Sequence, residues 1–286
     1  MSEVRPGCLY VVATPIGNLG DLSPRALKIL DGVSRVCAED TRTTGAMLAH
    51  FGIARPLVAL HDHNEDALAA QLVAALKAGE ALALVSDAGT PLISDPGYAL
   101  VRAARAAAVP VIPIPGACAA VAALSVSGIA SDSFVFIGFL PPKAAARAAR
   151  LQELKAEPRT LIFYEASHRI RDCVAAIAEA LGGQRHLCLA RELTKLYEES
   201  ISAGAGEVLQ WMDQDANRQR GEFVLICAGA PAQEPSAAEA ERVLRVLLEE
   251  LPASQAAKLA AQICGQRKNE LYPLALRLAE EMKLPK

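Results

Sequence analysis

Short apolar runs alternate along this chain with longer segments whose apolar positions recur at helical spacing. Cys8 to Ala13, Val33 to Ala38, Pro56 to Leu60, Ala81 to Val85 and Val111 to Pro113 read as strands, because each is too short for a buried helix. Helices are predicted after Ser23-Pro24, through about Phe51, over Asp66 to Ala78, over Tyr98 to Ala107 and from an opening at Gly116-Ala117-Cys118-Ala119 onward. Ser23 is a cap and Pro24 a first helical residue, the usual order at a helix start. This repetition predicts a largely parallel sheet covered on both faces. A second unit begins near Ile129, with strands over Phe134 to Phe139, Thr160 to Tyr164, His186 to Ala190 and Gly221 to Ala228. Helices fall within Pro141 to Glu157 and Ile170 to Leu181, Trp211 and Met212 lie in a connecting segment, and the sheet reads as mixed. Gly229 to Ser236 is a linker. Ala237 to Glu250, Ser254 to Cys264 and Lys268 to Met282 follow as three helices. The organisation expected is α/β over 1–120, α/β over 121–230, and a linker with a small helical region over 231–286.

Composition narrows this picture. Of 286 residues, 52% are hydrophobic and only 4% aromatic, so the cores are built of Ala, Val, Leu and Ile, which suits sheets flanked by helices. A net charge of -3 argues against a wholesale polyanion binder, so any nucleic-acid surface must be local. The seven cysteines are scattered without a C-x-x-C pair and read as buried thiols of a reduced protein, not as a zinc or disulfide framework. The first residues lack a basic segment followed by an apolar core, and no run approaches the roughly 18 apolar residues of a membrane span. A soluble cytoplasmic protein is expected.

The loops carry the chemistry. Leu84 to Gly97 leaves a strand and then packs two Asp, two Gly, two Pro, two Ser and a Thr into its length. Glycine permits close backbone approach and proline fixes φ, so such a loop has a dictated path and displays small polar groups. Thr14 to Asp21, Glu39 to Thr44, His61 to Glu65 and Ile114 to Ala119 are similar. In a parallel sheet the loops after the strands gather at one edge, where ligands bind. The second unit offers Tyr164 to Arg169, Arg191 to Lys195 and Arg220 to Phe223, and a cleft between the units would bring both sets together.

The strings VATPIGNLGDLSPRAL, AEDTRTT, LVSDAGTPLISDPG, PIPGACAA, FYEASHRI, RELTK and GEFVLIC resemble those of the ribosomal RNA small-subunit methyltransferase I family, within the tetrapyrrole methylase superfamily. The resemblance runs from about Gly7 to the C-terminal helices. It implies two α/β domains of the tetrapyrrole methylase type with a cofactor cleft between them, plus a small C-terminal helical region. The activity it implies is transfer of a methyl from S-adenosyl-L-methionine to the ribose 2′-hydroxyl of a cytidine in the decoding region of 16S rRNA. A homodimer acting on rRNA within the small ribosomal subunit is implied as well. Carried onto this sequence, the cofactor contacts are Pro15, Asp87, Ala88, Gly89, Thr90, Ser94, Asp95, Ala117, Cys118, Tyr164, Leu193, Gly221 and Glu222. One departure is Ser167, where the family pattern has proline before His168.

The residues themselves are compatible with that implication. The chain has neither a G-x-G-x-x-G after its first strand nor a G-x-x-x-x-G-K-[ST] loop, which fits a cofactor without phosphates. Methyl transfer is an in-line displacement in which alignment supplies much of the acceleration, and a nearby base would help remove the hydroxyl proton. Asp40, Glu65, Glu165 and His168 are the candidates, with His61 beside them; each reads equally as a cap, an ion-pair partner or a spacer. His61 and His63 lack a third placed ligand, so no metal is expected. Arg42 and Arg169, with Arg191, would hold RNA phosphates or orient carboxylates. Lys143, Arg147 and Arg150 fall on one helix face, as an RNA contact or as a solvated surface. Lys258, Arg267, Lys268 and Arg277 form a second, weaker cluster. The alternatives are a tetrapyrrole-precursor methyltransferase on the same fold, against which the basic segment speaks, and a non-catalytic ribosome-binding module.

Overall fold

The structure, a computed structural model, describes residues 4–61, 63–231 and 237–282; Asp62 and the linker positions 232–236 lie outside the described residues. Strands β1 (Leu9–Val12), β2 (Arg35–Ala38), β3 (Leu57–Ala59), β4 (Leu82–Leu84) and β5 (Val111–Ile114) form a wholly parallel sheet in the order β3-β2-β4-β1-β5. They are joined by α1 (Pro24–Gly32), α2 (Thr41–His50), α3 (Glu65–Lys77) and α4 (Tyr98–Ala106). Alternation along each strand divides the core between two faces. Tyr10, Val12, Val36 and Ala83 pack with Ile29 and Leu30 of α1 and Leu48 of α2. Leu9, Cys37, Leu82 and Leu84 pack with Leu72 and Leu76 of α3 and Leu100 of α4. Burial on both faces is why these strands are almost uniformly apolar. Truncating one of these leucines to alanine is expected to cost about 2–5 kcal/mol. Ser23 caps α1 by accepting from the Ala26 N–H at 3.1 Å, with Pro24 as its first residue.

A second sheet contains β6 (Phe134–Phe139), β7 (Thr160–Ala166), β8 (His186–Arg191), β9 (Glu199–Gly204) and β10 (Glu222–Cys227), in the order β6-β7-β10-β8-β9. Only the β6–β7 pair is parallel, so the sheet is mixed. One face, with Leu161, Phe163, Leu189 and Leu225, is covered by α6 (Ala144–Glu153), α7 (Ile170–Leu181) and α8 (Ala205–Asp213). The other, with Ile162, Ala190, Val224 and Ile226, is covered by Ala120, Ala123 and Leu124 of α5 (Ala119–Val126). The chain therefore passes from one sheet to the other just before α5, and the division expected after residue 120 falls within that helix. Both sheets belong to one compact unit that ends at Gly229. Trp211 and Met212, expected in a connecting segment, lie instead in helix α8, and strand β9 before it was not expected from the sequence.

From Ala230 a separate unit follows, containing α9 (Ala237–Leu248), α10 (Ala253–Cys264) and α11 (Lys268–Glu281) around Leu244, Ala257, Ala260, Leu271, Ala275 and Leu278. Gly265, at φ +66, ends α10 in the left-handed conformation and opens a short turn to α11. Among the described residues no helix is long and apolar enough to cross a membrane.

Candidate functional site

At the C-terminal edge of the parallel sheet, the loops after β1 and β4 are tied together by their backbones. Thr14 N–H donates to Gly89 O at 2.8 Å, and Gly89 N–H returns to Thr14 O at 3.1 Å. The buried Thr14 hydroxyl donates to Ser86 O at 3.1 Å, and the Thr90 hydroxyl donates to Ala117 O at 3.0 Å. Asp87 accepts the Asp40 N–H at 3.0 Å, and Glu65 accepts the Gly97 N–H at 2.7 Å, where α4 begins. Gly89 sits at φ +86, and a side chain there would stand 3.2 Å from Ile16 Cγ2. Leu92 and Ser94, without the freedom of glycine, also take positive φ of 73° and 69°.

The second sheet answers with the loop after β8. Glu192 and Thr194 adopt positive φ of 50° and 68°. Of the five such non-glycine residues among those described, only Ala108 lies away from this region. Backbone strain of this kind persists where surrounding bonds over-determine it. Here the Glu192 carboxylate accepts the Glu222 N–H at 2.9 Å and Lys195 Nζ at 3.0 Å, while Glu222 accepts Lys195 Nζ at 2.7 Å. Burial lowers the proton affinity of Lys195, but its hydrogen bonds to Glu222 and Glu192 outweigh this and hold the ammonium above its ordinary pKa. Its stem lies across Gly17, where an added Cβ would stand 2.4 Å from Lys195 Cγ. Bare backbone at Gly17 is what lets the two halves meet.

Between these loops is a cavity of about 290 Å³. Ala88, Gly89, Thr90, Ser94 and Asp95 line it from the first half, and Cys118, Tyr164, Leu193 and Glu222 from the second. Pro15, Asp87, Ala117 and Gly221, also expected on the wall, are not among its lining residues. Asp87 and Ala117 act behind it through the bonds given above, and Gly221, at φ +105, leaves room for the Glu192 side chain. Sequence reasoning missed Ile16, Ile93, Phe139, Ala190, Lys195 and Val224. Ile16, Ile93 and Lys195 lay in loops already singled out, whereas Phe139, Ala190 and Val224 are apolar strand residues with no local signal of a site. Tyr164 accepts the Ala120 N–H at 3.1 Å, anchoring the start of α5. Burial, then the neighbouring Cys118, pushes its phenol well above the ordinary range.

None of the four candidate bases presents a free side chain to this cavity. Asp40 caps α2 through the Arg42 N–H at 2.8 Å and pairs with the Arg42 guanidinium at 2.6 Å. Those bonds hold its carboxyl down to about 2. Glu65 serves the start of α4, and His168 is exposed on the turn between β7 and α7. Glu165 borders the cavity, but strand alternation turns its carboxylate to the α7 face, opposite Tyr164. There it is fully buried, accepting the Ala166 N–H at 2.9 Å and Arg169 Nη2 at 3.1 Å. Arg169 also donates to Leu140 O, so it ties β6 to β7 instead of standing free for phosphate. The expected cationic face of α6 is corrected too. Arg147 is buried and donates to Pro142 O at 3.3 Å, because it shares with Leu151 the stripe that α6 buries. Arg150 pairs with Glu153 at 2.7 Å, and Lys143 alone of the three is exposed without an ion pair among the described residues. Arg191 is likewise buried, donating to Arg220 O at 2.6 Å. Among the described residues no group of three His, Cys, Asp or Glu is placed to hold a metal ion.

Comparison with known proteins matches residues 8–209 to the tetrapyrrole (corrin/porphyrin) methylases and residues 234–279 to the RsmI C-terminal HTH domain. A protein of Xylella fastidiosa (strain Temecula1) named ribosomal RNA small subunit methyltransferase I is 56% identical over 93% of this chain and 98% of its own length. A Pseudomonas aeruginosa protein of the same name is 54% identical over 95% of this chain and 97% of its own. Among solved structures, the uroporphyrin-III C-methyltransferase of Thermus thermophilus complexed with S-adenosylhomocysteine aligns with a TM-score of 0.52 at 17% identity, covering 77% of this chain and 96% of that one.

Proposed function

Because this chain belongs to the tetrapyrrole methylases and, within them, to the ribosomal RNA small subunit methyltransferase I family, we propose that it transfers a methyl group from S-adenosyl-L-methionine to the ribose 2′-hydroxyl of a cytidine in the decoding region of 16S rRNA. The observation that carries the cofactor half of this reading is the cavity whose walls come from both sheets. Its walls suit the group. Ile16, Ile93 and Leu193 supply apolar surface for an adenosine, and the glycine at 89 admits a ligand close to backbone. Glu192, Glu222 and Lys195 together leave one net negative charge beside the opening, complementary to a sulfonium. When bound, S-adenosylmethionine supplies a methyl already activated by that positive sulfur.

What the chain must add is alignment and exclusion of water. Alignment contributes up to ~7–11 kcal/mol in favourable cases. The loops after β4 and β8 suit that task, since the Thr14–Gly89 backbone bonds and the Glu192–Lys195–Glu222 bonds fix the walls they form. A dedicated base has a small role in this reading. Asp40 is too weak a base at a pKa of about 2, and Glu165 and Glu222 are engaged by Arg169 and Lys195. The oxygen–methyl bond would form as the sulfur–methyl bond breaks, and the hydroxyl proton would pass to water at the mouth of the cavity, outside the space around the reacting carbon. The same reading has the protein act as a cytoplasmic homodimer on rRNA within the small ribosomal subunit. Nucleoside mass spectrometry of 16S rRNA from cells with and without the protein tests it. Loss of a 2′-O-methylcytidine is expected, and an unchanged nucleoside profile would overturn the assignment.

A further inference from the structure

Strand β6 contains an irregularity that serves no purpose in pairing. Its register against β7 shifts between Phe136 and Gly138, so Phe136 faces Ile162, Gly138 faces Phe163 and Phe139 faces Tyr164. In a regular strand, residues three apart point to opposite faces. The bulge puts Phe136 and Phe139 on the same face, with ring centroids 5.1 and 5.9 Å from that of Tyr164. Bulges re-aim side chains in this way, and they sit beside functional sites more often than chance allows. Gly138 makes it feasible: it takes φ +71, and a Cβ there would stand 3.1 Å from Ser94 Oγ in the loop after β4.

The ring so aimed is not buried. Phe136 is partly covered within the core, whereas Phe139 lines the cavity and stays 53% exposed. In a chain with only six phenylalanines, that is an apolar ring held at an opening where water would otherwise be preferred. Four residues on, past the stiff Pro141-Pro142 pair, is Lys143, exposed and without an ion pair among the described residues. An exposed aromatic face followed within four residues by an exposed cation is a combination complementary to a nucleotide, the ring to the base and the ammonium to a phosphate.

We propose that Phe139 is a substrate-binding residue that stacks on an unstacked base of the RNA substrate beside the cavity, with Lys143 on an adjacent phosphate. This rests on the RNA methyltransferase reading above and adds to it how the nucleotide is held. A ribose hydroxyl inside a folded rRNA reaches an enclosed methyl donor only if its nucleotide leaves its neighbours, and a π-face replaces the stacking that is lost.

The test is labelled methyl transfer to small ribosomal subunits from cells lacking the protein, with Phe139→Ala, Phe139→Leu and Phe139→Tyr beside the unaltered protein. Calorimetry with S-adenosylmethionine and thermal melts run in parallel. Phe139→Ala is expected to raise KM for the subunits roughly tenfold or more, a larger change than any in cofactor affinity. Phe139→Leu keeps most apolar volume but no π-face and should behave like alanine; if the alanine variant fails to fold, leucine decides. Phe139→Tyr should restore the unaltered KM. Unchanged subunit kinetics in the alanine and leucine variants would overturn the proposal, as would a loss confined to cofactor affinity, which would make the ring a wall of the cofactor site. No transfer by the unaltered protein would overturn the activity and the proposal together, an outcome separate from either of those.

Discussion

The parallel sheet and the mixed sheet reach the same cavity with different materials. In the first half, polar loop residues are engaged mostly with one another: Thr14 with Ser86, Thr90 with Ala117, Asp87 with the Asp40 N–H, Glu65 with the Gly97 N–H. What that half offers a ligand is shaped backbone and small side chains. The second half presents larger side chains to the opening, with Phe139, Tyr164, Lys195 and Glu222 on the wall. Geometry explains the division. A parallel sheet delivers all its loops to one edge, where crowding demands bonds between them. The mixed sheet borders the cavity with strand ends and one face, whose side chains project directly from rigid elements.

If the first half works through backbone shape, a change of shape there should have the largest effect. Gly89→Val places a β-branched residue at φ +86 with its Cβ 3.2 Å from Ile16 Cγ2 and 3.6 Å from Ala117 O. It is expected to abolish S-adenosylmethionine binding by calorimetry in protein that circular dichroism shows to be folded. Asp87→Ala, which removes only a bond to the Asp40 N–H, should weaken binding modestly. Unaltered affinity in the valine variant would take this loop out of the cofactor site.

The second half also contains acids whose work is structural, and Glu165 is the fully buried one. Glu165→Ala leaves Arg169 without its buried carboxylate partner. Breaking a buried pair costs about 3–5 kcal/mol, which for a unit of this size lowers the melting temperature by roughly 10 °C. Denaturant melts measure it directly. A loss below about 1 kcal/mol, with transfer activity abolished, would return Glu165 to the chemistry.

Asp40 sharpens the comparison with the smallest effect. Arg42 holds its carboxyl at about 2, below the unfolded value near 3.9. A depressed carboxyl contributes stability above its unfolded pKa and loses that contribution as pH falls through the folded one. Asp40→Asn should therefore be slightly less stable than the unaltered protein at pH 7, with the difference vanishing between about pH 4 and pH 2. Because the pair is exposed, added salt should shrink the difference. Transfer activity is expected to survive the change; its loss would show that a first-half side chain acts on the substrate after all.

Local signals made most of the fold legible. The Ser23-Pro24 start of α1, the uniformly apolar strands of the first sheet and the Pro- and Gly-dense loop after β4 each announce themselves within a few residues. Strand β9 did not, because this edge strand with one neighbour carries only a four-residue alternation, Ser200-Ile201-Ser202-Ala203, of small and polar residues, and no apolar run. Helix α8 begins at Ala205 with Gly204 at its N-cap and no side-chain cap, so it lacked a strong start signal.

The sequence by itself determined most of the strands and helices, β9 and α8 apart, and which loops are dense in groups able to hold a ligand, since both follow from residues close in the chain. Tertiary structure alone decided which of those groups face the cavity. Arg147 and Lys143 are four apart on paper, yet one is buried by α6 packing and the other is free. Glu165 and Tyr164 are neighbours, yet alternation sends the acid to Arg169 and the phenol to the wall. Phe139 reaches the opening only through a bulge that no spacing rule announces. Facing is a property of register and packing, set by partners distant in the chain, and the chemistry of the site depends on it.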